Sequence, residues 1–77
     1  MMGKYQPLCE YLTRYDNDRL KLSFEEVERI ISDKLPPSAS KYSEWWANGG
    51  YVQADAWLDA EWKVDKVELG EYVEFVK

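Results

Sequence analysis

The sequence predicts an α+β domain, with three to four short helices and a small three-stranded antiparallel sheet. Three observations support this fold class. Apolar residues recur at helical spacing through much of the chain, apolar and charged residues alternate near its C-terminal end, and a glycine turn divides that last stretch. Helices combined with an antiparallel hairpin are typical of an α+β fold.

The first helix is predicted from Pro7 to about Tyr15. Proline suits the first turn of a helix, because the N–H that it lacks has no partner there. Apolar residues follow at helical spacing. A turn is predicted at Asp16–Asp18, and the alternation of polar and leucine residues in Arg19–Ser23 then predicts a short, half-buried strand.

The second helix is predicted over Phe24–Ser32. Ser23 and Glu26 have the spacing of a capping box, in which each side chain bonds to the other residue's backbone N–H. Valine and isoleucine follow at helical spacing, which indicates one buried face. A break at Ser32–Lys34 separates this helix from the next.

The third helix is predicted within Leu35–Asn48. Pro36 and Pro37 favour the start of a helix, and Asn48 with the two glycines after it favours the end. We expect the following residues to face the core: Ala39, Tyr42 and Trp46.

A fourth helix is predicted at about Val52–Ala60, followed by a β-hairpin. The hairpin turn is expected at Gly70-Glu71, because a two-residue type II′ turn prefers glycine first. The returning strand is Tyr72–Val76. The valines before the turn do not all share one parity, so a β-bulge is expected near Asp65-Lys66.

This order of elements predicts a single winged-helix-like domain over residues 1–77. An isolated hairpin is barely stable, so the early strand is its natural third partner. Helices 2 and 3 with the short break between them would then form a helix-turn-helix pair.

The composition argues against an enzyme. The 77 residues include one cysteine and no histidine, which removes an internal disulfide, the usual general base and most zinc sites. Glu61-Trp62-Lys63 has the E-x-K spacing of metal-dependent nucleases, but the acidic residues before it fall on a predicted helix instead of a sheet. We expect no cofactor, no metal and no small-molecule substrate.

The charge and hydropathy limit the possible partners. The net charge is −5, and residues 45–77 carry three basic against seven acidic residues. Strong acidity disfavours an electrostatic grip on nucleic acid, although one local face can still be neutral or basic. No apolar run approaches the roughly 20 residues that span a bilayer, and we expect a cytoplasmic protein without membrane contact.

DNA binding is the first functional hypothesis. The N-terminal part of helix 3 would enter the major groove, and the positive end of the helix would favour phosphate contacts. The residues expected to contact DNA are Lys34, Ser38, Ser40 and Lys41, with Glu44 as a further candidate at the groove, and Arg19 and Lys21 on the strand.

Protein binding is the alternative hypothesis. Trp45 and Trp46 are adjacent on one helix and point about 100° apart, so a thin domain buries both with difficulty. Trp45 and Tyr51 are the expected protein-binding residues, because exposed Trp and Tyr are favoured interface anchors. The acidic C-terminal part suggests one specific form by analogy, a phage-type inhibitor of a host defence nuclease. A homodimer remains open.

The sequence resembles a small uncharacterised domain family of bacteria and their phages. The motifs that carry this resemblance are L-P-x-S-A at 35–39, W-W-x-N at 45–48 and A-W-L at 56–58. The resemblance extends over nearly the whole chain and implies no established activity. Members of that family tend to carry glycine near positions 32–33 and 61, where this chain has Ser32, Asp33 and Glu61. The element order also resembles winged helix-turn-helix domains.

Overall fold

Four helices and a three-stranded antiparallel sheet form the fold in the computed structural model, which describes residues 3–77. The helices are α1 (Gln6–Arg14), α2 (Phe24–Ile31), α3 (Pro37–Lys41) and α4 (Asp55–Leu58). The strands are β1 (Arg19–Ser23), β2 (Lys63–Glu68) and β3 (Tyr72–Val76), and short 3₁₀ segments cover Gly3–Tyr5, Ser43–Trp46 and Val52–Ala54. The predicted α+β class is confirmed, and the order of elements is compatible with a winged-helix-like arrangement.

The sheet has the strand order β1-β3-β2, so the first strand pairs with the last. A register shift between Val64 and Lys66 confirms the predicted bulge. The predicted two-residue turn was wrong. Three residues, Leu69–Glu71, connect β2 to β3, and Gly70 takes a positive φ of 79° as the second residue of the turn. The N–H of Glu71 donates to the Glu68 carbonyl at 2.9 Å, which closes the turn.

Helix α2 begins as the capping box predicts. The Ser23 hydroxyl accepts from the Glu26 N–H at 3.0 Å, and the Glu26 carboxylate accepts from the Ser23 N–H at 2.8 Å. The helix ends where Ser32 adopts a left-handed conformation with φ of 56°. The N–H groups of Ser32 and Asp33 both donate to the Glu28 carbonyl, so the helix terminus is satisfied.

The predicted continuous third helix was wrong. Helix α3 has only five residues, Tyr42 is extended with φ of −127° and ψ of 122°, and a 3₁₀ segment follows. In a continuous helix the Ala39 carbonyl would accept from the backbone four residues later. Here the buried Trp46 indole donates to that carbonyl at 2.9 Å. The break also overturns one expected core position, since Tyr42 is 55% exposed.

Helix α4 is likewise shorter than predicted. The segment Val52–Ala54 is 3₁₀, and only Asp55–Leu58 is α-helical. The Trp62 N–H donates to the Trp57 carbonyl at 2.8 Å and the Glu61 N–H donates to the Leu58 carbonyl at 3.0 Å. This pair of bonds is a Schellman motif, which requires a left-handed residue at its turn. Glu61 is that residue, with φ of 66°.

Aromatic residues form the centre of the core. Trp46 stacks on Trp57 with ring centroids 5.8 Å apart, and Phe75 of the sheet packs against Trp57 at 5.7 Å. Trp62 is fully buried, and its indole N–H donates to the Leu12 carbonyl of α1 at 2.9 Å. Cys9 is buried. Large aromatic rings therefore connect the helices to the sheet.

Candidate functional site

An open aromatic cleft follows the break in the predicted third helix. Its volume is about 380 Å³. Tyr42 and Tyr51 are exposed by 55% and 52%, whereas Trp45 is half-buried. The residues that line this aromatic cleft are Ser38, Tyr42, Glu44, Trp45 and Tyr51. Two large, partly apolar side chains are thus left in water on the same side of a small domain.

The local backbone explains why these rings share one cleft. The extended conformation of Tyr42 interrupts the helix between Ser38 and Trp45. Gly49 and Gly50 both have positive φ, at 142° and 87°, and the turn that they form leads the chain to Tyr51. Glycine adopts these conformations without the steric cost of a Cβ atom.

Buried contacts fix the Trp45 wall of the cleft. The Trp45 ring makes edge contacts with Trp46 at 4.8 Å and with Tyr5 at 5.8 Å between ring centroids. Gln53 is buried, and its amide donates to the Trp45 carbonyl at 2.9 Å. A buried amide is stable only when it is hydrogen-bonded, so Gln53 and Trp45 hold each other in place.

Asn48 connects the cleft segment to the sheet. Its amide nitrogen donates to the Val64 carbonyl at 3.0 Å, and its amide oxygen accepts from the Val64 N–H at 2.8 Å. The same oxygen accepts from the Trp57 indole at 3.1 Å. Asn48 of the W-W-x-N motif was predicted only to end a helix. The structure shows that it also connects the cleft segment to β2.

The two residues predicted to bind protein both line the cleft. Trp45 and Tyr51 are joined there by Ser38, which the sequence had indicated as a DNA contact. Sequence reasoning missed Tyr42, because a continuous helix would have directed it into the core. No strong signal in the sequence predicts that Tyr42, the residue after α3, is extended. The two prolines at the start of α3 only allow that helix to be short.

The six predicted DNA-contacting residues fall into two separate groups. Ser38, Ser40 and Lys41 lie on α3, and Lys34 precedes it. The group on β1, Arg19 and Lys21, lies on the outer face of the sheet, since Leu20 and Leu22 take the core side. The structure therefore does not place the strand residues beside α3.

Both strand residues already have intramolecular partners. Arg19 Nη1 lies 3.3 Å from an Asp65 carboxylate oxygen and 3.5 Å from a Glu74 carboxylate oxygen. Lys21 Nζ lies 4.1 Å from the centroid of the Tyr72 ring. These contacts are solvent-exposed and weak, so they bias the two side chains without fixing them.

Among residues 3–77, three groups outside the cleft lining have a shifted pKa, and the pKa values of two of them, Lys66 and Tyr5, are raised. A hydrogen bond to Tyr72 on the outer sheet face raises the pKa of Lys66. Burial raises the pKa of Tyr5 beside Trp45, while the nearby Lys4 opposes that shift. Neither shift creates an acid or base near neutral pH, because each raises a pKa that already lies well above neutral pH.

A second depression of about 470 Å³ lies between α1 and α2. Its residues are Pro7, Tyr11, Arg14, Tyr15 and Ile30. Tyr11 and Tyr15 stack on each other at 6.1 Å, so part of their ring surface is already covered. Although this depression is larger, the cleft offers more exposed aromatic surface and a carboxylate beside it.

Residues 3–77 hold no cluster of metal-ligating side chains. Within that range no three His, Cys, Asp or Glu side chains group as metal ligands would. The E-x-K triplet lies in the turn after α4: Glu61 is the left-handed residue of that turn and Trp62 is buried. Its spacing follows from the Schellman motif and the start of β2. Within residues 3–77 the helices are all too short or too polar to cross a membrane.

A family model matches residues 5–77, nearly the whole chain. The chain belongs to the family described as a domain of unknown function, DUF7662. Membership agrees with the resemblance to a small uncharacterised family that the motifs indicated. No curated protein and no solved structure matches the chain. The function of this DUF7662 domain has to be argued from its own surface.

Proposed function

We propose that this DUF7662 domain is a non-enzymatic binding module that binds a protein partner through the aromatic cleft. The observation that carries the proposal is the exposure of Tyr42 and Tyr51 beside Trp45 in one cleft. Tyr and Trp are enriched among the few interface residues that contribute most binding energy. Their amphipathic rings suit a surface that is wet when free and buried when bound.

The cleft is also organised before any partner arrives. The Gln53 amide and the ring contacts of Trp46 support Trp45, and Asn48 attaches the following turn to β2. A preformed surface loses less conformational entropy on binding than a flexible loop does. This preorganisation favours a role in recognition over a surface without a function.

The overall acidity suggests what kind of module this is. With a net charge of −5, the domain suits a basic protein partner. A small acidic protein that binds a nucleic-acid enzyme, as a phage-type inhibitor of a host defence nuclease would, fits this charge. A homodimer through the same cleft is a further form of the proposal, and sedimentation equilibrium distinguishes it.

The test compares cleft and control variants in partner capture. Tyr51→Ala and Tyr42→Ala remove exposed rings, so both variants should fold like the wild type by circular dichroism. Tyr11→Ala is the matched control, because Tyr11 is an exposed tyrosine outside the cleft. Proximity cross-linking in the native host, read by mass spectrometry, should give one recurrent partner that both cleft variants lose and the control keeps. Retention of that partner by both cleft variants would refute the proposal.

DNA binding is the second candidate, and the order of elements favours it. Helix α3 follows α2 after a short connection, and a hairpin follows, as in winged helix-turn-helix domains. The groove-facing residues in this hypothesis are Ser38, Ser40 and Lys41, with Lys34 at the phosphate backbone. The five-residue length of α3 and the acidic hairpin limit this surface.

A mobility shift with duplex DNA tests the second candidate. Binding should appear at low salt and weaken steeply towards physiological salt, because phosphate contacts release counterions. Lys41→Ala should weaken it, whereas Lys63→Ala on β2 is the control. Absence of any shift at low salt would exclude this candidate.

A further inference from the structure

We infer that the aromatic cleft receives the guanidinium group of an arginine side chain from a basic segment of the partner. The inference rests on the proposed function and specifies its ligand. Three features of the cleft carry it: the aromatic walls, a carboxylate that has no ionic partner within residues 3–77, and a lining that contains no Lys or Arg among the described residues.

The aromatic walls favour a cation. Tyr42, Trp45 and Tyr51 line one cleft of about 380 Å³, which is large enough for the end of an arginine side chain. A cation over an aromatic face is attracted by the negative face of the ring, and Trp gives the strongest attraction. Trp45 contacts Tyr5 and Trp46 in edge-on geometry. Trp45 is half-buried and is one of the residues that line the cleft.

Glu44 supplies the matching charge. Its side chain is exposed at the cleft and forms no ion pair or side-chain hydrogen bond within residues 3–77. The lining contains no Lys or Arg that would neutralise it. A phosphate-bearing ligand would meet this carboxylate and the overall charge of −5 as repulsion. An uncharged ring would leave the carboxylate unpaired.

Arginine fits these groups better than lysine does. The guanidinium is planar, so it can stack on a ring while its edge donates to a carboxylate in bidentate geometry. The Ser38 hydroxyl at the cleft can accept one of the remaining N–H groups. A compact ammonium ion would use the rings or the carboxylate, but it lacks the flat surface for stacking.

The experiment titrates the whole chain with small probes and follows backbone amide shifts by NMR. The probes are Nα-acetylarginine amide, Nα-acetylcitrulline amide, Nα-acetyllysine amide and tetramethylammonium. The citrulline side chain matches arginine in shape and lacks its charge. The arginine probe should move the amides of Trp45 and Tyr51 and bind at least about fivefold more tightly than the citrulline probe. The lysine and tetramethylammonium probes should bind more weakly than the arginine probe.

Two variants and two controls separate the contributions. Glu44→Gln should weaken the arginine probe about three- to tenfold, because it keeps the shape and removes the charge. Tyr51→Leu should weaken it similarly, because leucine has no aromatic face. The controls Glu25→Gln and Tyr11→Leu lie outside the cleft and should leave binding unchanged.

Each alternative outcome overturns a defined part of the inference. Equal binding of the arginine and citrulline probes would exclude a cation as the ligand, and stronger binding of lysine or tetramethylammonium would exclude a guanidinium. No binding by any cationic probe would also overturn it. If the cleft variants still lose the cross-linked partner in that case, the proposed function stands while the inference fails. If they keep the partner, both fail.

Discussion

At the scale of single residues, Asn48 makes three structural hydrogen bonds with one amide group. One side chain bonds to both backbone groups of Val64 and to the Trp57 indole. An amide has a donor nitrogen and an acceptor oxygen bonded to the same carbon, so it can imitate the edge of another strand. No other side-chain type of this size can form all these bonds at once.

Replacement of Asn48 by alanine should destabilise the domain by about 1–3 kcal/mol, because the buried Trp57 indole loses its acceptor. Urea unfolding followed by tryptophan fluorescence measures this loss. Asn48→Asp keeps both acceptor bonds but sets a carboxylate oxygen against the Val64 carbonyl in place of the donor, so it separates the Val64 contact from the Trp57 bond. An alanine variant as stable as the wild type would show that water replaces the amide fully.

Two residues occupy backbone conformations that disfavour a side chain. Ser32 and Glu61 have φ of 56° and 66° at the ends of α2 and α4. A Cβ atom in the left-handed region costs roughly 1–2 kcal/mol, and glycine avoids that cost. The glycines that the family resemblance implied near these positions therefore have a physical explanation.

Glu61→Gly should stabilise the domain by about 0.5–1 kcal/mol, as relief of strain exceeds the greater freedom of glycine in the unfolded chain. Glu61→Ala keeps the Cβ atom and should give no gain, so it serves as the control. The measurement is the urea midpoint at constant m-value. Equal midpoints for the glycine and alanine variants would mean that Glu61 is not strained.

At the scale of elements, short-range signals predicted most of the fold. The capping box fixed the start of α2, the alternation in Arg19–Ser23 fixed β1, and valine parity located the bulge near Lys66. The capping box acts between neighbours in sequence, whereas the alternation and the valine parity follow from which face of the sheet is buried. The structure confirms them because tertiary contacts oppose none of them.

The third helix was mispredicted because a tertiary contact overrides the helical pattern. The spacing of Ala39, Tyr42 and Trp46 suits a helix, but the Trp46 indole takes the Ala39 carbonyl. A buried indole needs an acceptor, and this need is not visible in a periodicity. Trp45 and Tyr51, two of the three aromatic residues of the cleft, were predicted as exposed binding residues, whereas Tyr42 becomes a cleft residue only once the helix breaks.

The capping box of α2 should make stability depend on acidity. A hydrogen bond from the Ser23 backbone N–H, and then one involving its side chain, lowers the pKa of Glu26 below its ordinary value. The folded state therefore binds this proton less readily than the unfolded chain does. The contribution of the carboxylate to stability is complete above the unfolded pKa of about 4.3 and declines as pH falls through the lower folded value.

Glu26→Gln should thus be less stable than the wild type near neutral pH, and the difference should shrink between about pH 5 and pH 3. Glutamine keeps a neutral version of the bond and has no proton to gain. Urea unfolding near neutral pH, at about pH 5 and at about pH 3 measures the difference in the free energy of unfolding between the variant and the wild type. The control is Glu25→Gln on the same turn, which removes the same charge without touching the capping box. A constant difference for Glu26→Gln would contradict the role of its charge.

At the scale of the whole molecule, the tryptophans make the domain one cooperative unit. A chain of 77 residues buries only roughly 60–65% of its unfolded surface, so it has little stability to divide among separate parts. Trp46 and Trp57 stack in the centre, Phe75 connects them to β3, and the Trp62 indole bonds to the Leu12 carbonyl of α1. Loss of any of these elements exposes rings that the others need for burial.

Tryptophan fluorescence and far-ultraviolet circular dichroism should therefore give the same urea midpoint, as expected for two-state unfolding. Trp62→Phe keeps a large ring and removes the indole donor to the Leu12 carbonyl, which then accepts only from the Tyr15 N–H. It should lower stability by about 1–3 kcal/mol and move both probes together. Tyr51→Ala, at the exposed cleft, should move neither by more than about 0.5 kcal/mol. Separate midpoints in Trp62→Phe would show that α1 unfolds independently of the sheet, and the tryptophan core would then be two units instead of one.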